Sequence, residues 1–134
     1  MLTASEIARA LEASLKAGHS LAIVSLMAHD GRIDEHTARL LVAGDGALIG
    51  GSLGDSVLDA AAARQAVALL ADDRREIVVA DANELTASSS GEIDLQAFGQ
   101  VRLLFEISRP PLELIVCGGG HVGQAVAIAG RFLD

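Results

Sequence analysis

Residues 21–27 have the sequence LAIVSLM, in which only Ser25 is polar. A continuous apolar run of this length is typical of a strand covered on both faces, because a half-exposed strand alternates apolar and polar residues. The run therefore predicts a buried strand. His29, Asp30 and Gly31 follow it, and Asp-Gly is a strong turn signal, so we expect the chain to reverse there.

Two more strands are predicted close behind the first. The first of them covers residues 37–43, and the second covers residues 47–49 after the tight turn Gly44-Asp45-Gly46. Three strands joined by short turns indicate an antiparallel meander.

A helix is predicted before the meander. Thr3 and Glu6 have the spacing of a capping box, and apolar residues recur every four positions from Ile7 to Leu15. This pattern predicts a helix over residues 4–17.

A second helix, over residues 56–71, follows the meander, with Asp55 as its N-cap. The remaining predicted elements are strands at 76–80, 101–107 and 112–117, a loop at 84–99 and a helix that begins at 124.

The order of elements predicts an α/β fold, in which a mixed sheet packs with the N-terminal helix and the second helix. A truncated Rossmann-like βα unit follows. Pro110 and Pro111 mark the boundary, so the predicted units are residues 1–109 and residues 110–134.

Composition excludes several classes of protein. The chain has 134 residues, 51% hydrophobic and 21% charged, which excludes global disorder. Its net charge is −8, from 10 Lys and Arg against 18 Asp and Glu, which argues against nucleic-acid and membrane binding. The single cysteine, Cys117, excludes an intramolecular disulfide. No apolar run approaches a transmembrane length and no signal peptide is apparent, so we expect a cytoplasmic protein.

The first candidate site is a glycine-rich loop before the second helix, comprising Gly50, Gly51, Ser52 and Gly54 and ending at Asp55. Amides at a helix N-terminus can bind an anion, although the Asp55 carboxylate competes for that position. The alternative is a strand-to-helix junction that needs glycine for its backbone angles. The residues alone leave both interpretations open.

The second candidate site is the sequence GGGHVG, which places Gly118, Gly120 and Gly123 in the G-x-G-x-x-G pattern of dinucleotide-binding turns. His121 would lie beside a phosphate or donate within the turn. The chain ends at Asp134, before a second strand and the acidic residue that binds a ribose, so NAD(P) binding is not expected.

No catalytic or metal-binding residue is assigned. Residues 29–36, HDGRIDEH, contain possible ligands, but their spacing matches no known metal site and favours a solvated hairpin tip. Cys117 has no histidine in an obvious nucleophile–base arrangement, and a strand-end cysteine is usually a small apolar residue. The residues alone leave open whether the protein is an enzyme.

The stretches at 46–63, GALIGGSLGDSVLDAAAA, and at 101–127, VRLLFEISRPPLELIVCGGGHVGQAVA, resemble the XdhC/CoxI family. Members are accessory proteins of molybdenum hydroxylases such as xanthine dehydrogenase and carbon monoxide dehydrogenase. They combine an N-terminal α/β domain with a Rossmann-type domain. Ser52 stands where many relatives carry a cysteine, so thiol chemistry is not expected at that position.

The resemblance implies a chaperone-like protein that binds molybdenum cofactor transiently and helps to insert it. The implied partners are the apo-hydroxylase, a sulfur-donating enzyme and further copies of the chain. Two alternatives remain from the residues themselves. The GGGHVG loop is also consistent with a truncated NAD(P)-dependent oxidoreductase, and the apolar residues 112–133 with a non-catalytic assembly or dimerisation module.

Overall fold

A computed structural model describes residues 1–28, 30–72, 77–82 and 101–132. The elements, in chain order, are α1 (Ala4–Lys16), β1 (Leu21–Met27), β2 (Arg39–Ala43), β3 (Leu48–Gly51), α2 (Ser56–Ala71), β4 (Ile77–Asp81), β5 (Arg102–Ser108) and α3 (His121–Gly130). The predicted loop at 84–99 lies outside the described residues.

The five strands form one sheet in the order β3-β2-β1-β5-β4. All four neighbouring pairs are antiparallel, which confirms the β1-β2-β3 meander. β1 is the central strand, and its Leu21 lies opposite Ala43 on one side and Ser108 on the other. The continuous apolar sequence of β1 is explained by this position, because helices cover both of its faces.

The helix α2 covers one face of the sheet. It connects β3 to β4, which are the two edge strands, so it must cross the sheet between them. The core on this side combines residues from α2 and three strands: Leu58, Ala62, Ala66 and Leu70 from the helix, and Ala22, Val24, Leu40, Val42, Leu103 and Phe105 from the strands. Small alanines on α2 allow the helix to pack close to the strands.

The helix α1 packs on the opposite face, where Ile7 and Leu11 contact a smaller cluster of Leu21, Ile23 and Leu41. The predicted capping box is present, since the Glu6 amide donates to the Thr3 hydroxyl and the Thr3 amide donates to the Glu6 carboxylate. The bond from the Thr3 amide is the main cause that lowers the pKa of Glu6 below its usual value.

The α/β fold is therefore confirmed, with two helices against a sheet, but the described strands form an antiparallel sheet rather than the mixed sheet that was predicted. The strand predicted at 112–117 is wrong, because residues 109–119 form no regular secondary structure. A strand needs the backbone groups of a neighbour, and no described strand pairs with this segment. The last helix begins at His121, three residues earlier than predicted. No helix in the described ranges is long and apolar enough to cross a membrane.

Candidate functional site

The first glycine-rich loop, residues 50–55, joins the edge strand β3 to α2. Gly51 has φ of +81°, and a Cβ on it would overlap the carbonyl oxygen of Arg39 and lie 2.7 Å from Cδ1 of Leu2. Only glycine fits both the backbone angle and the available space. The structure therefore gives Gly51 a packing role within the sheet.

Two amides of this loop, those of Leu53 and Gly54, are bonded to a carboxylate and a hydroxyl of the chain itself. The Asp59 carboxylate accepts from the Leu53 amide and from the Ser52 hydroxyl, both at 2.7 Å. The Gly54 amide donates to the Ser52 hydroxyl oxygen at 3.0 Å. An external anion would have to displace these partners.

Amides in the first turn of α2 are also bonded to a carboxylate of the chain. Asp55 is its N-cap, and its carboxylate accepts from the amides of Val57 at 2.8 Å and Leu58 at 3.0 Å. Asp55 and Asp59 thus place two negative charges at the loop, which opposes the approach of a phosphate.

The second glycine-rich loop, residues 118–123, has the local geometry of a dinucleotide-binding turn. Gly118 has φ of +115°, which gives the tight turn. A Cβ on Gly123 would overlap the Gly118 carbonyl oxygen and lie 3.4 Å from Cγ1 of Val116. In dinucleotide-binding turns, the first glycine allows the tight turn and the third allows the helix to pack closely. Gly118 and Gly123 occupy these two positions.

Unlike the first loop, the second loop has no side-chain cap at the start of its helix. Gly120 is the N-cap of α3 and makes no side-chain capping hydrogen bond. A Cβ on Gly118, Gly119 or Gly120 would meet nothing within 4 Å. The start of α3 therefore has no capping side chain, and the helix dipole favours negative charge at that point.

The surroundings of the second loop are mostly apolar. The loop borders an open cavity of about 650 Å³, lined by Leu114, Val116, Cys117, His121 and Val126 among others. Cys117 is exposed, contrary to its interpretation as a buried apolar residue. The arrangement offers hydrogen-bond donors for an anionic group beside a surface for an apolar or planar one.

Asp30 and Asp34 of the 29–36 segment are engaged in turns, and His29 lies outside the described residues. The Asp30 carboxylate accepts from the Arg32 amide, and the Asp34 carboxylate accepts from the His36 amide and the Thr37 hydroxyl. Within the described residues, no three His, Cys, Asp or Glu side chains come together as metal ligands.

Two features of the structure were missed by the sequence interpretation. The first is that the Asp59 carboxylate binds groups of the Gly50–Asp55 loop. A local signal for this contact exists, because Asp59 lies four residues after the predicted N-cap, a spacing that places two side chains on one face of a helix. The second is Arg109, whose guanidinium donates to the carbonyl oxygens of Leu69, Leu70 and Asp72 at the end of α2. No local sequence pattern predicts a contact between residues so far apart in sequence.

The fold and the two loops define an α/β domain whose later helices both begin at glycine-rich turns. The sequence model of the XdhC and CoxI family matches residues 14–81, just over half of the chain. The chain therefore belongs to the XdhC and CoxI family, as its sequence resemblance predicted. Membership implies an accessory role related to xanthine dehydrogenase or carbon monoxide dehydrogenase. A search of curated proteins gave no match.

Proposed function

We propose that the chain is a chaperone-like accessory protein that binds molybdenum cofactor and helps to insert it into an apo-hydroxylase of the xanthine dehydrogenase or carbon monoxide dehydrogenase type. The family match over residues 14–81 carries this proposal. The matched region includes the β1-β2-β3 meander and α2, so it covers most of the packed domain.

The cofactor is cargo in this proposal, and its phosphate is the group that backbone amides recognise. The second loop suits it best, because the space around Gly118, Gly119 and Gly120 is free and the first turn of α3 has no capping side chain. His121, in that first turn, lines the adjoining cavity together with apolar side chains. Gly123 keeps the loop against the helix.

The first loop, with Gly50, Gly51, Ser52 and Gly54, is a second place for the cofactor only if Asp55 and Asp59 release its amides. Such a release would make binding there depend on a change of conformation. The second loop needs no such change, and we therefore assign the phosphate to it.

The proposed partners would meet an apolar surface formed by residues 112–132. Leu112, Ile115, Val122 and Phe132 are each more than 70% exposed, and α3 has no buried residue. Clustered exposed apolar side chains mark surfaces that bind other proteins. The apo-hydroxylase, a sulfur-donating enzyme or a second copy of the chain would cover them.

A second candidate function is nucleotide binding by an NAD(P)-dependent oxidoreductase. The positive φ of Gly118 and the close approach of Gly123 to the Gly118 carbonyl favour it, since dinucleotide-binding turns use glycines in this way. Micromolar binding of NADH in a fluorescence titration would favour this candidate over the first.

Reconstitution of an apo-hydroxylase tests the accessory role. We expect the full chain, added with molybdenum cofactor, to raise the fraction of hydroxylase that becomes active. His121→Glu should reduce this gain several-fold, because it adds a negative charge at the proposed phosphate site.

His36→Glu is the matched control, since His36 is also an exposed histidine but lies in the 29–36 segment. It should activate the hydroxylase as well as the unmodified chain does. Equal hydroxylase activity with and without the unmodified chain would contradict the proposed function.

A further inference from the structure

A separate cavity of about 480 Å³ lies at the C-terminal end of α2, where the α1–β1 turn, the β2–β3 turn and the helix end meet. Its apolar lining includes Ala43, Ile49 and Leu70, and its polar lining includes Ser14, His19 and Asp45. The volume is within the range of small-molecule sites, and an apolar surface with a few convergent polar groups is their usual composition.

The polar groups of this cavity have unused hydrogen-bonding capacity. One Asp45 oxygen accepts from the Ala47 amide at 2.9 Å, which orients the carboxylate in an Asx turn. In residues 1–28 and 30–72, the side chains of Ser14 and His19 make no hydrogen bond. The second Asp45 oxygen, the Ser14 hydroxyl and the His19 ring can therefore all bind a ligand.

Asp45 is the carboxylate in the cavity lining. Asp45 carries a full charge, and the C-terminal end of α1 adds the negative end of a helix dipole. None of the lining residues is Lys or Arg. Lys16 pairs with Glu12 at 2.6 Å, and the Arg109 guanidinium lies at the same end of α2, where it binds the carbonyl oxygens of Leu69, Leu70 and Asp72.

We propose that this cavity binds a small organic cation, with its ammonium or amidinium group on Asp45 and its apolar body against Ile49 and Leu70. A carboxylate with one fixed oxygen suits a charged N–H donor, because such charge-assisted bonds are stronger than neutral ones. The Asp45 carboxylate disfavours an anionic ligand at this position.

The proposed cation site does not depend on the cofactor proposal. It lies at the C-terminal end of α2, whereas residues 52–55 of the first glycine-rich loop lie at the N-terminal end of this helix, whose 16 residues span about 24 Å. The second glycine-rich loop is at the start of a different helix. A variant that loses cation binding can therefore still be tested for cofactor binding, and the reverse.

Amide chemical shifts of the full ¹⁵N-labelled chain test the site, with benzamidine, neutral benzamide and anionic benzoate as probes. We expect benzamidine to shift the Gly18, His19, Gly44 and Asp45 amides saturably, benzamide to bind at least tenfold more weakly, and benzoate not to bind. Benzoate binding as tight as benzamidine binding, or no saturable shift with benzamidine, would overturn the proposal.

Asp45→Asn separates charge from shape, because asparagine keeps the Asx turn. It should weaken benzamidine binding at least tenfold. Asp30→Asn is the matched control, since Asp30 makes the same type of turn with the Arg32 amide at 3.0 Å but lies outside this cavity, and it should leave the affinity unchanged. Ala71→Phe should fill the cavity and abolish binding of both amidine and amide. Unchanged affinity in Asp45→Asn would refute the assigned contact.

Discussion

Gly51→Val is expected to prevent the chain from folding stably. The position has φ of +81°, and a Cβ there would overlap the Arg39 carbonyl oxygen of the neighbouring strand. Backbone strain and overpacking together should cost about 3–5 kcal/mol, a large part of the total stability of a small domain. Urea denaturation followed by circular dichroism measures this loss.

Gly54→Val is the control for backbone strain alone. Gly54 also has positive φ, at +98°, but a Cβ there would meet nothing within 4 Å. Its cost should therefore be about 1–2 kcal/mol. Equal stability of the two variants would contradict a packing role for Gly51. The comparison also shows that a loss of ligand binding in a Gly51 variant would report unfolding rather than a binding contact.

Arg109→Ala should give the other large loss, about 3 kcal/mol of unfolding free energy. The half-buried guanidinium donates to three carbonyl oxygens at the end of α2, and hydrogen bonds of charged groups contribute more than neutral ones. Arg109 directly precedes Pro110, so this contact also fixes the chain leaving β5 against the helix.

Arg109→Lys should recover only part of that loss, because an ammonium group cannot reproduce the geometry of the planar guanidinium. Arg131→Ala, at the end of α3, is a control with an exposed arginine and should change the unfolding free energy by less than about 0.5 kcal/mol. A denaturation midpoint for Arg109→Ala equal to that of Arg131→Ala would show that the contact does not stabilise the domain.

The sequence predicted the packed part of the fold well because its signals are local. The apolar run of β1, the Thr3–Glu6 capping box and the Asp55 N-cap each decide one element, and all three are present. The buried face of α2 was harder to predict. Alanines occur around much of this helix, so the sequence shows no sharp apolar stripe; the buried residues are Leu58, Ala61, Ala62, Ala66 and Leu70.

The errors occurred where structure depends on distant partners. Residues 112–117 have the composition of a strand, but strand formation needs a neighbour that the described sheet does not supply. Glycines before a helix indicated two candidate anion sites, and the contacts of Asp55 and Asp59 distinguish the first loop from the second. The cavity around Asp45 brings together two turns and the end of a helix, which no single stretch of sequence reveals.

A titration of the ¹⁵N-labelled full chain with pyrophosphate tests most directly whether the open loop is the anion site. If it is, the amides of residues 118–123 shift saturably, while those of Leu53, Gly54, Val57 and Leu58 stay unchanged because their carboxylate and hydroxyl partners remain bound. Saturable shifts at the first loop alone, or none at either loop, would contradict the assignment.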